Sequence, residues 1–84
     1  MTAKKLNAIY EKIGALYDEL QEGIDEIDEK IEAINEKASE RESGELTEKE
    51  SEKIDNLEEQ KENIQETMDQ LEGAQSCIDA YMEY

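Results

Sequence analysis

Apolar residues recur along both halves of this chain at alternating steps of four and three, and the two series mirror each other about one glycine. The first series is Leu6, Tyr10, Ile13, Tyr17, Leu20, Ile24, Ile27, Ile31 and Ile34. The second is Ile54, Leu57, Lys61, Ile64, Met68, Leu71, Gln75, Ile78 and Met82, with Lys61 and Gln75 as its polar members. A seven-residue phase of this kind marks an α-helix that buries a single seam against a partner helix. If the chain folds so that partner numbers sum to 88, every a position meets a d position, as antiparallel pairing requires. Ile34 then faces Ile54, Ile31 faces Leu57, Ile24 faces Ile64, Leu20 faces Met68, Tyr17 faces Leu71, Tyr10 faces Ile78 and Leu6 faces Met82. The midpoint of that sum is Gly44.

The expected fold is therefore all-α: an antiparallel two-helix coiled-coil hairpin with its turn at about residues 43–47, forming a single domain over residues 1–84. Helix 1 is expected over about residues 3–43, with Thr2 as its N-cap and Gly44 supplying the left-handed residue just beyond its end. Helix 2 is expected over about residues 48–82. It opens on Thr47, Glu48, Lys49 and Glu50, a capping box in which Thr47 and Glu50 satisfy each other's backbone amides. Composition agrees with a thin seam and excludes a deep one, because the chain has no Phe and no Trp, is 36% hydrophobic and is 40% charged. It contains no Pro, so nothing of that kind interrupts long helices.

The residue types needed for most site chemistry are missing. Without a single His, the chain cannot build Ser-His or Cys-His nucleophile pairs, Glu-x-x-His di-iron sites or His-bearing zinc sites. Cys77 is alone, so it forms no internal disulfide and has no thiol partner for a metal. The carboxylates from Asp25 to Glu29 lack the alternating ligands and central glycine of a calcium loop, and an exposed helix face cannot desolvate an acid for catalysis. The expectation is a non-enzymatic protein with no catalytic residues, no cofactor and no metal. It has neither an apolar run long enough for a membrane span nor a hydrophobic leader at its start, and a cytoplasmic location is expected.

Charge is the remaining clue. Through Tyr17 the chain holds Lys4, Lys5 and Lys12 against Glu11; from Asp18 onward it holds 24 acids against six bases. On helix 1 the outward positions read Asp18, Glu19, Glu22, Asp25, Glu26, Glu29, Glu32 and Glu36, with Asp28 at the edge. These nine carboxylates span about 28 Å of helix, or one per about 3 Å, close to the 3.4 Å spacing of phosphates along one DNA strand. Such a face repels nucleic acid and anionic lipid and suits a protein partner with a basic surface. In size and charge the chain resembles the small acidic proteins of phages and mobile elements, including anti-restriction and anti-CRISPR inhibitors. That resemblance implies a nucleic-acid mimic that occupies a basic groove of its target.

A second surface lies at the end away from the turn. Ile9 and Leu16 on helix 1, and Ala74 and Tyr81 on helix 2, fall at g positions on one side of the hairpin. This apolar patch supports a different expectation, a structural or scaffold hairpin that homodimerises through its open end into a four-helix bundle. Gly14 and Gly73 lie at nearly the same height, and each weakens its helix by about 1 kcal/mol relative to Ala. The turn lacks the Trp-x-Gly sequence of the secreted dimeric helical hairpins, which sets that group aside.

Overall fold

In the computed structural model, which describes residues 2–82, two helices pack against each other. α1 spans Ala3–Ser39 and α2 spans Glu48–Met82. The molecule is a rod of 63 × 15 × 14 Å. The seam is the one the heptad phase predicts. Ile24, Ile27, Ile54, Leu57 and Met68 are buried, and their neighbours in the two series are half-buried. Contacts across the seam follow the register that sums to 88: Lys61 reaches Asp28, Gln75 reaches Tyr10, and Ile64 packs beside Gly23. The seam loosens at its open end, where Met82 is 42% exposed although it continues the series.

Two helices cannot surround a core. The surface of 6549 Å² exceeds the roughly 5,100 Å² expected of a compact protein of this mass, and no large side chain among the described residues is fully buried.

α1 ends at Ser39, about four residues before the expected position near 43. The Ser39 hydroxyl donates to the Glu36 carbonyl at 2.7 Å. Beyond it, the amides of Arg41 and Gly44 donate to carbonyls three residues back, those of Ala38 and Arg41, instead of four. The tighter turns redirect the chain across to α2, and Gly44 takes φ +66°, the left-handed value that favours a residue without Cβ. The connection therefore runs over residues 40–47.

The helix starts match the sequence closely. Thr2 Oγ1 accepts from the Lys5 amide at 3.2 Å. At α2, Thr47 Oγ1 accepts from the Glu50 amide at 3.1 Å and Glu50 Oε1 accepts from the Thr47 amide at 2.9 Å, completing the reciprocal box.

The register also runs two steps further towards the turn than the apolar series does. Ala38 is buried, and Arg41 lies over Glu50, donating through both terminal nitrogens to its carboxylate, with Nη2 to Oε2 at 2.7 Å. Arg41 Nη1 also donates to the Glu45 carbonyl at 3.3 Å, so one guanidinium ties the loop to the start of α2. The Arg41 hydrogen bonds, followed by that from the Thr47 amide, hold the Glu50 carboxyl down at about 2 instead of 4.5. A depressed carboxyl stabilises the fold above the unfolded value and loses that contribution as pH falls through the folded one. The melting temperature of the wild type should therefore exceed that of Glu50→Gln by a constant gap above about pH 4.5, and the gap should close as pH falls to about 2. A gap independent of pH across that window would show that the charge on Glu50 does not hold the turn.

Candidate functional site

Three surfaces can be built from the residues upward: the acidic shaft, a polar notch on one side of the open end, and an apolar face on the other.

The shaft is the part of the hairpin from Asp18 to Gln70, and the register places its two limits at the same height. It carries 21 acids and six bases, a net charge of −15 out of −16 for the whole chain. Asp18, Glu19, Glu22, Asp25, Glu26, Glu29, Glu32 and Glu36 are all exposed. Asp25 accepts from Gln21 Nε2 at 3.2 Å. Among the described residues the ion pairs are Arg41 with Glu50 and Lys61 with Asp28, and neither draws on those eight carboxylates. Lys61 occupies a seam position but leans outward, with Nζ 2.7 Å from Asp28 Oδ1, so its stem covers the seam and its charge stays wet. No three carboxylates or thiols among the described residues are grouped as a metal ion would need.

The notch lies on the e-position side. Glu11, Gly14, Ala15, Tyr17, Asp18, Glu72 and Gln75 line an open depression of about 500 Å³. Gln75, the second polar member of the seam, donates from Nε2 to the main-chain carbonyl of Tyr10 at 3.2 Å. That approach depends on Gly14, since a Cβ there would lie 3.3 Å from the Gln75 nitrogen. Gly14 and Gln75 thus work together to fix the register at the open end. Beside them, hydrogen bonding to the Glu72 carboxylate, and then its charge, raise the Tyr17 phenol above its usual 10.

The two glycines at this height differ in consequence. A Cβ at Gly73 meets nothing within 4 Å, so Gly73→Ala should stabilise the hairpin by about 1 kcal/mol through helix propensity alone. Gly14→Ala gains the same propensity but disturbs the Gln75 bond, worth about 1 kcal/mol, and should come out near neutral. Thermal melts of both variants and of Gly14→Ala in a Gln75→Ala background test this, because in that background the propensity gain should reappear. If Gly14→Ala alone stabilised as much as Gly73→Ala, the register lock would be refuted.

The apolar face lies on the g-position side. Ile9 is 37% exposed, Leu16 49% and Tyr81 61%, while Ala74 is half-buried beside them. Leu6, Cys77, Ile78 and Tyr81 line a shallow groove at its end, with the Cys77 thiol exposed. The sequence placed these four g residues without the groove.

Among the described residues no helix is long and apolar enough to cross a membrane. Neither a family model, nor a curated protein, nor a solved structure matches this chain, so its function must be argued from these surfaces.

Proposed function

We propose that the chain is a non-enzymatic protein-binding rod whose acidic shaft occupies a basic groove on a target protein, of the kind that otherwise holds a nucleic-acid strand. The observation that carries this reading is charge density. The shaft's net −15 extends over about 40 Å of axis, one charge per about 2.7 Å. That value lies between the 3.4 Å of a single DNA strand and the 1.7 Å of both strands of a duplex. A groove evolved to neutralise phosphates would meet a similar field here, and the shaft would exclude nucleic acid by occupying it. Inhibition of a nucleic-acid-handling enzyme, in the manner of the phage inhibitors it resembles, follows as the sharpest form of the idea.

The test begins with capture of binding proteins from a cell lysate at low salt, followed by competition with a DNA oligonucleotide for each purified one. The expected outcome is a nucleic-acid-binding protein that the rod and DNA bind in a mutually exclusive way. The triple variant Glu22→Gln, Glu26→Gln and Glu29→Gln should bind it about tenfold more weakly at 0.15 M salt, at about 0.5 kcal/mol per exposed ion pair lost. A partner that binds the triple variant equally well, or binds rod and DNA together, would rule the reading out.

A further inference from the structure

The same charge map constrains the apolar face. On α2 the g and c positions from Gln60 to the open end read Gln60, Asn63, Thr67, Gln70, Ala74, Cys77 and Tyr81, without a charge in a chain that is 40% charged. The Thr67 hydroxyl is already engaged by the Asn63 carbonyl at 3.0 Å. On α1 the g positions Ile9, Leu16 and Gly23 are also uncharged and rise beside this strip. The result is an uncharged strip about 32 Å long on α2, beside uncharged g positions of α1, with Ile9, Leu16 and Tyr81 exposed there and the α1 c positions Lys5, Lys12 and Glu19 along its edge.

We infer that this face binds a second copy of the chain, the two hairpins overlapping antiparallel at their open ends with their acidic shafts pointing away from each other. Charge selects both the occupant and its direction. A parallel pair would set one net −15 shaft about 10 Å from another along its whole length, about one Debye length at 0.1 M salt, so the repulsion is only partly screened. In the antiparallel overlap, Ile9 of one copy meets Leu16 of the other. Residues whose numbers sum to about 25 then share a height, so the two shafts begin about 16 Å apart and diverge.

The overlap also brings opposite charges together. Lys5, at a c position beside the face in the segment where bases outnumber acids, reaches the height of Glu19 on the second copy, while Lys12 meets its own counterpart at the centre of the overlap, where both long side chains can turn outward into solvent. No foreign partner is needed to supply this complementarity. Two helix widths over the roughly 28 Å of overlap bury about 1,000 Å² in total, the lower bound for a specific interface, so the dimer should be weak and concentration-dependent. This inference stands on the apolar face and the charge map, independently of any target for the shaft.

Sedimentation equilibrium and small-angle scattering between about 5 and 500 µM test it. The wild type should shift from monomer to dimer, and its maximum dimension should rise from about 65 Å to about 100 Å. Leu16→Glu and Tyr81→Glu, both at exposed positions outside the seam, should keep their helical signal and lower the association constant at least tenfold. A wild type that stays monomeric, a dimer no longer than about 65 Å, or a dimer indifferent to both substitutions would overturn the inference.

Discussion

Leu57→Ala should destabilise the hairpin by about 3 kcal/mol, whereas Leu16→Ala should cost less than about 0.5 kcal/mol. Both residues are leucines on long helices one position from the same seam or within it, and hydropathy does not separate them. Leu57 is 8% exposed, at a d position opposite Ile31; Leu16 is 49% exposed, at a g position. Truncating Leu57 removes buried methyl groups and opens a gap that two helices can only partly close. In a protein of this size, with total stability on the order of 4 to 12 kcal/mol, that is a large share. Urea titrations followed by helical circular dichroism measure both values, and the slopes should be unchanged while the midpoints separate. Equal costs at the two positions would mean that Leu16 belongs to a buried core, as it would in a tightly assembled oligomer under those conditions. The comparison should therefore be made at a few micromolar, where the proposed dimer is dissociated.

The second large effect is electrostatic. Raising NaCl from about 0.02 M to about 1 M should stabilise the hairpin by about 3 kcal/mol. Between Asp18 and Glu36, α1 carries about ten pairs of carboxylates spaced three or four residues apart, with Lys30 the only base inside that stretch. Each such like-charge pair destabilises a helix by about 0.2 to 0.5 kcal/mol at low ionic strength, and salt screens it. The triple variant Glu22→Gln, Glu26→Gln and Glu29→Gln removes about seven of these pairs, so its response to salt should shrink by more than half. A wild-type stability that does not change with salt would show that the shaft's charges do not strain the fold. A chain that tolerates several kcal/mol of self-repulsion along one face carries a cost that a basic partner would relieve on binding.

Much of this molecule is readable from one sequence because its fold has one degree of freedom to specify. The steps of four and three fix which face of each helix is buried. The sum of 88 fixes which residue meets which, and Thr2, Thr47 and Glu50 fix where each helix starts. The two steps nearest the turn were equally legible in principle, since Ala38 and Arg41 continue the phase of α1 and Glu50 and Thr47 that of α2, but a small alanine opposite a carboxylate, and an arginine opposite a threonine, do not announce themselves as seam. The end of α1 was less legible. No Pro or Gly marks a stop between Ser39 and Ser43; the helix ends where the amides of Arg41 and Gly44 turn to carbonyls three residues back and Arg41 pairs with Glu50 across the connection.

The candidate surfaces divide in the same way. The acidic face and the g-position patch follow from periodicity alone, because charge and helical angle are properties of sequence. The pairing of Gln75 with the Tyr10 carbonyl through the space left by Gly14, the outward turn of Lys61 to Asp28 and the raised Tyr17 phenol depend on side chains 33 to 65 residues apart in sequence. What the sequence determined by itself was the hairpin, its register and the separation of a strongly acidic shaft from an open end of nearly balanced charge, since each rests on regular spacing. What only the tertiary structure decided was how the polar seam residues are satisfied and that the seam loosens at Met82, because those depend on the distances between two helices after they have packed.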